Sequence, residues 1–336
     1  MLGLCKRKED IVLDKKKSFH ISGFGVFLVI LFGLGAVFIK KASGIPLFDE
    51  LLIAMTLGII AQIFVTCDQR TERILRWTPR VLIPFGLILY GAANLDFKLF
   101  AAVPDTYKIT LFIAILTFLV TALTLAGLFG LKDRTGYLIA SGSSVCGASA
   151  IAATASAIDA EPDDISCSLV AVFISALLGL IILFPLLRRA CSMSDTEYGI
   201  FCGTVFQFTG FVKSAVSGLP AEAQKVALAV KSLRYLCLIF TIPLFTSLTK
   251  GKMSMPWYLV LFLAGGVLCS FVSTLSGLRH ISESALSFIW SIAMASIGFN
   301  ANMRVLFSSY GLKAFLVSFL SMLVTIGIFL VSRMVF

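Results

Sequence analysis

Eleven apolar stretches run through this chain of 336 residues, each close to the roughly 20 residues a helix needs to cross about 30 Å of hydrocarbon. They lie near 20–39, 46–66, 79–95, 109–130, 136–158, 165–187, 198–219, 224–248, 257–276, 283–300 and 308–332. At 58% hydrophobic and 14% charged, the chain has too much apolar surface for a soluble fold, since soluble domains carry about 45–50% apolar and about 25% charged residues. Unbroken runs such as Leu111 to Val120 favour helices over an alternating β-barrel pattern. The expected fold is therefore an all-α multi-span membrane protein of about eleven transmembrane helices. A charged cytoplasmic segment, residues 1–19, precedes a single transmembrane domain, residues 20–336. The first apolar run ends in Lys40 and Lys41 without a small-residue cleavage site and reads as a retained span.

Basic residues gather in alternate loops. Lys6, Arg7, Lys8, Lys15, Lys16 and Lys17 precede the first span, and Arg70, Arg73, Arg76 and Arg80 follow the second. Lys132 and Arg134 follow the fourth, Arg188 and Arg189 the sixth, and Lys250 and Lys252 the eighth. The positive-inside rule then places the N-terminus in the cytoplasm, the C-terminus outside and the acidic 159–164 loop outside. The same distribution explains the net charge of +10 without nucleic acid. Eight scattered cysteines with no C-x-x-C motif and no His cluster predict neither a disulfide framework, a metal site nor a cofactor.

The fifth stretch differs from the rest. Between Gly142 and Ser149 it replaces lipid-facing leucine by small and hydroxyl residues, Gly142, Ser143, Ser144, Cys146, Gly147 and Ser149. Two glycines five apart suit a discontinuous helix that unwinds at mid-membrane and restarts, exposing free N–H groups and the positive end of its dipole. Close helix packing through small residues is the alternative use of such a stripe. The seventh stretch resembles a degenerate copy, with Tyr198, Gly203 and Thr204 paralleling Tyr137, Gly142 and Ser143. A second pair joins Gly91 and Asn94 of the third stretch to Gly298 and Asn300 of the tenth. Internal repeats of this kind, inverted ones above all, mark transporters. With eleven crossings, however, the third and tenth stretches run in opposite senses while the fifth and seventh run in the same sense. Inverted and parallel repeats both remain open.

Lys213, Lys231 and Arg234 lie within apolar stretches that hold no Asp or Glu. A charge at that depth costs a few kcal/mol unless it has a partner or a function. Lys231 and Arg234, three apart on one helix face, fit three arrangements: an aqueous cavity where they hold an oxyanion, snorkelling to the headgroups, or pairing with backbone carbonyls. Lys213 is a secondary candidate because it snorkels more easily. Asn94 and Asn300 mark helix ends as secondary candidates, and His20 and His280 sit at membrane boundaries.

The run Gly142-Ser-Ser-Val-Cys146-Gly147-Ala-Ser149-Ala-Ile151-Ala-Ala resembles the G-x-S-I-C-G-A-S-A-I-A-A signature of the YeiH family of bacterial inner-membrane proteins. Val230-Lys231-Ser-Leu-Arg234 resembles that family's V-K-x-x-R. The resemblance extends over nearly the whole chain. It implies a bacterial inner-membrane transporter, with sulfate export as the associated role and broken helices as the architecture. The chain departs from the family in its seventh stretch, where a His-Asp pair is replaced and Gln207, Thr209 and Lys213 stand.

These observations predict a secondary transporter that moves a small anion by alternating access. The substrate is expected to be sulfate, a sulfonate or a related oxyanion, contacted by Gly142, Ser143, Ser144, Cys146, Gly147, Ser149, Gln207, Thr209, Lys231 and Arg234. An anion channel or a ligand-binding receptor without flux are the alternatives. No P-loop is present, and no intramembrane nucleophile and base are paired, so no enzymatic activity is expected. The expected partners are the anion and the lipid bilayer, with a homo-oligomer left open.

Overall fold

A computed structural model describes residues 24–44, 49–65, 69–252, 255–272 and 278–335. The charged segment 1–19 and His20 lie outside the described residues. Helix is the only regular structure among those described, as expected where no water reaches the backbone. Among the described residues, six helices are long and apolar enough to cross a membrane: Gly25–Ser43, Asp105–Leu128, Pro162–Ala190, Ala221–Lys250, Arg279–Asn300 and Ser309–Arg333. Glu50–Phe64, Ala148–Ala157 and Trp257–Phe271 are shorter apolar helices.

In chain order the first helices are α1 (Phe24–Ser43), α2 (Glu50–Phe64), α3 (Gln69–Asn94), the short α4 (Phe97–Ala102) and α5 (Asp105–Leu128). The fifth apolar stretch forms two half-helices, α6 (Asp133–Ser144) and α7 (Ala148–Ala157). A long helix follows, α8 (Pro162–Leu178) continuing through a π turn at Gly179–Leu183 into α9 (Phe184–Ala190). The seventh stretch divides likewise into α10 (Asp195–Val205) and α11 (Thr209–Val216). Its following helix is α12 (Ala221–Leu233), a 3-10 turn at Arg234–Cys237, and α13 (Leu238–Lys250). The remaining helices are α14 (Trp257–Phe271), α15 (Leu278–Asn300), α16 (Met303–Leu306) and α17 (Ser309–Val335).

The fifth and seventh stretches do not cross. Twelve residues of α6 and ten of α7 span about 18 and 15 Å at 1.5 Å per residue, each short of a 30 Å core. They fold back on one another: Ser141 Oγ lies 2.7 Å from Thr154 Oγ1 and donates to Ala150 O at 3.4 Å. The far end of α7 therefore returns to the face where α6 begins. Thr135 Oγ1 donates to Asp164 Oδ1 at 2.8 Å, and Lys250 pairs with Asp159 at 2.9 Å. This corrects the topology drawn from charge, which set the acidic 159–164 loop opposite Lys250. Hydropathy counts apolar residues but carries no sign of direction, so a hairpin of two half-helices reads as one span.

The second hairpin enters from the other face. A Cβ on Gly199 would fall 2.7 Å from Ala223 O and one on Gly203 2.4 Å from Ala227 O. Helices α10 and α12 therefore run side by side in the same direction, and α11, which links them in the chain, runs back the opposite way. Arg188 pairs with Asp195 at 2.5 Å and Arg333 with Glu197 at 3.1 Å, gathering the end of α9, the start of α10 and the end of α17 on one face. We call this the Lys40 face, after the Lys40–Glu50 ion pair that also lies on it. The opposite side is the Lys132 face.

With the two hairpins in place, the repeat conflict disappears. One long helix separates them, so α6 and α10 point in opposite senses. Helices α3 and α15 are also antiparallel, with Trp290 Nε1 donating to Ile83 O at 3.2 Å and Arg279 Nη1 to Asp96 Oδ2 at 2.9 Å. Their ends match: Asn94 Nδ2 donates to Tyr90 O at 3.2 Å, and Asn300 Nδ2 to Ser296 O at 2.8 Å. Both sequence pairs thus conform to an inverted relationship.

Candidate functional site

At the tip of the first hairpin, Gly147 adopts φ +68 and ψ −121, a region open almost only to glycine. A Cβ there would meet the Phe208 ring at 2.8 Å, so glycine also permits the two tips to touch. At the second tip the chain leaves α10 through the extended residues Phe206 and Phe208 before α11 begins. Each break leaves the carbonyls at the end of one helix and the N–H groups at the start of the next without helical partners.

Lys231 and Arg234 satisfy those carbonyls. Lys231 Nζ donates to Val145 O at 3.0 Å, Phe206 O at 2.8 Å and Gln207 O at 2.6 Å. Arg234 donates through Nε to Ser144 O at 3.1 Å and through Nη2 to Ser143 O at 2.6 Å. Its Nη1 reaches Thr204 O at 2.9 Å and Phe206 O at 2.6 Å. Both side chains are completely buried, which rules out snorkelling. Of the three arrangements the sequence left open, the structure displays carbonyl pairing. The charges sit at the negative, C-terminal ends of α6 and α10, where a cation is electrostatically favoured. Residues Ser143 and Thr204, equivalent in the sequence repeat, present their carbonyls to the same guanidinium.

With the C-terminal ends neutralised, the N-termini of α7 and α11 are left as positive poles. They meet at a cavity of about 590 Å³ open toward the Lys40 face. Cys146 and Ser149 of the first hairpin, Thr209, Gly210 and Lys213 of the second, and Asn94 of α3 line it. Tyr90 and Trp290 form an aromatic wall, stacked with centroids 5.3 Å apart. Thr209 Oγ1 lies 2.7 Å from Tyr235 Oη, which fixes the hydroxyl at the start of α11. At the mouth, Glu50 is engaged by Lys40 and by Ser287 Oγ, and Asp49 caps α2 through Leu51 N at 2.9 Å. No ion pair forms at Lys41 or Lys213 among the described residues.

The sequence matches the family model described as conserved hypothetical protein 698 over residues 24–318. The chain belongs to this family. It is the YeiH-type family whose motifs span Gly142 to Ser149 and Val230 to Arg234. A UPF0324 membrane protein of Archaeoglobus fulgidus is 27% identical over 316 residues, covering 90% of this chain and 92% of the relative. A UPF0324 membrane protein of Bradyrhizobium diazoefficiens is 28% identical over 322 residues, covering 90% of each. One from Wolinella succinogenes is 28% identical over 291 residues, covering 80% and 83%. These relatives are membrane proteins by name, as this multi-helical chain is. No solved structure matches it.

The sequence-predicted residues divide into three groups. Cys146, Ser149, Thr209, Lys213 and Asn94 come together in the cavity. Gly142, Ser143, Ser144, Gly147, Gln207, Lys231 and Arg234 build the crossing of the tips behind it. Gly142 packs on Ile151, and the Ser144 hydroxyl donates to Ser141 O. The hydroxyls of Ser143 and Thr204 and both amide atoms of Gln207 are buried without a hydrogen-bond partner among the described residues. Asn300 stands apart, in a second cavity on the Lys132 face. Sequence reasoning missed Tyr90, Trp290 and Tyr235, because an aromatic residue in an apolar helix carries no mark that separates a cavity wall from a lipid-facing or core position.

Proposed function

We propose that this protein is a secondary transporter of a small anion, binding it where the N-termini of α7 and α11 meet and moving it by alternating access. One observation carries the reading: the returning half-helices α7 and α11, of two hairpins that enter from opposite faces, direct their positive ends, with the Ser149 and Thr209 hydroxyls, at a single cavity. Free N–H groups at helix starts bind anions, and discontinuous helices paired by an inverted repeat build mid-membrane sites in transporters. Lys231 and Arg234 act by holding the tips and by offsetting the negative ends of α6 and α10 behind the site. Lys213 supplies a mobile cation at its edge. Oxyanions such as sulfate or a sulfonate suit donors on several sides. The bacterial inner membrane, with α1 entering from the cytoplasm, fits the basic loops of the Lys132 face.

Uptake of labelled sulfate, sulfite and sulfonates into proteoliposomes tests the reading. Saturable uptake that falls in Ser149→Ala and Thr209→Val supports it. Protein-independent flux for every anion, or flux untouched by both substitutions, removes its basis.

A further inference from the structure

A second cavity, of about 310 Å³, opens on the Lys132 face between α3, α7, α8 and α15. Three of these helices also line the cavity at the hairpin tips. Helix α3 contributes Ile83 here and Tyr90 there, α7 contributes Ser156 and Ser149, and α15 contributes Ile297 and Trp290. Each pair is seven residues apart, about 10 Å along a helix. Leu87, Ile151 and Met294 stand in the intervening stretch of the three helices, all completely buried. The two cavities therefore lie end to end along one seam, divided by a short apolar plug.

The seam is built to shift on one side. Pro79 and Pro84 lie inside α3, and each removes a helical hydrogen bond to the carbonyl four residues back. Ser296 Oγ of α15 takes over one of these carbonyls, Leu75 O, at 2.5 Å. The Trp290 Nε1 bond to Ile83 O ties the same two helices at the plug, with Gly86 giving the indole its space.

Of the charges of the second cavity, Arg76 and Asp159 are in ion pairs, while Asp163 and Glu161 meet backbone N–H groups at the positive end of α8. Arg76 pairs with Glu72, Asp159 pairs with Lys250, and Asp163 accepts from Asn302 N at 2.6 Å. Glu161 caps α8 in a capping box with Asp164. Arg80 is exposed in this cavity and forms no ion pair among the described residues.

Resting on the transport reading above, we infer that this cavity is the second mouth of the permeation path, with Arg80 as its anion-docking residue. The anion passes between α3, α7 and α15 when the Leu87, Ile151 and Met294 plug parts.

The test uses Ser156→Cys in proteoliposomes, treated from the Lys132 face with a bulky, membrane-impermeant thiol reagent after the protein has folded. Wild-type protein treated identically controls for the native cysteines. The expected result is at least a tenfold loss of flux in the treated variant, with little change in treated wild type. The anion-induced thermal shift of the modified protein in detergent is expected to persist. Arg80→Gln, which needs no reagent, is expected to raise the half-saturating anion concentration at the Lys132 face several-fold, and Arg80→Lys to restore it partly. Unchanged flux in the modified Ser156→Cys protein, together with unchanged saturation in Arg80→Gln, overturns the inference while leaving the transport reading intact. Failure of untreated wild type to transport any anion overturns both.

Discussion

Lys231 Nζ donates to Val145 O at 3.0 Å, joining the tip of the first re-entrant hairpin to a helix 86 residues further along the chain. With Phe206 O and Gln207 O as its other acceptors, the ammonium has all three protons engaged by two hairpins that enter from opposite faces. A buried carbonyl that loses a charged donor loses about 1–3 kcal/mol. Lys231→Met should therefore destabilise the protein by on the order of 3 kcal/mol or more. A fall of roughly 5–10 °C in Tm is expected, read by thermal unfolding in detergent. A Tm equal to wild type would mean that the carbonyl bonds hold nothing together.

Arg234→Lys keeps the charge but loses the planar fork. One ammonium cannot reach Ser143 O, Ser144 O, Thr204 O and Phe206 O in the geometry that Nε, Nη1 and Nη2 provide. A drop in Tm of several degrees, with anion affinity falling alongside it, is the expected outcome. Retained stability and affinity together would indicate that the charge alone matters.

Gly147 and Gly127 should respond in opposite ways to alanine. At Gly147 the positive φ and the Phe208 ring at 2.8 Å oppose a side chain, and the strain alone is about 1–3 kcal/mol. Gly127 lies in α5 with open space around it, so alanine there should add up to about 1 kcal/mol of helix propensity. Thermal unfolding of the two variants checks the contrast, and an unaffected Gly147→Ala would contradict the tip geometry.

Sidedness follows from the Lys250–Asp159 pair. Single cysteines at 159 and 250 should react with an impermeant thiol reagent from the same side of the membrane, and a cysteine at 197 from the other. Labelling of 159 and 250 from opposite sides would restore eleven crossings and eliminate the hairpins.

Much of this architecture was visible in the residues. The run from Gly142 to Ser149 marked a broken helix, and the cost of a charge at that depth singled out Lys231 and Arg234, as anion ligands before anything else, whereas they bond backbone carbonyls. Their acceptors were not legible, since backbone carbonyls have no sequence signature and become available only where a helix stops. The return of α7 was hidden for a related reason: 22 residues of two half-helices carry the same hydropathy as one crossing. The conflict between the two repeat pairs was its only trace. The aromatic wall of Tyr90 and Trp290 left no trace at all, because it arises from the antiparallel packing of α3 on α15.

The most direct test is calorimetric titration of sulfate, sulfite, phosphate, sulfonates and carboxylates into purified wild-type protein and into the Ser149→Ala/Thr209→Val double variant. Two lost hydroxyl hydrogen bonds, at about 1 kcal/mol each, predict saturable binding of at least one anion to wild type and about thirtyfold weaker binding to the variant, with Tm lowered only by the loss of the Thr209–Tyr235 bond. Binding of no anion to wild type, or equal affinity in the double variant, would contradict an anion site between the starts of α7 and α11.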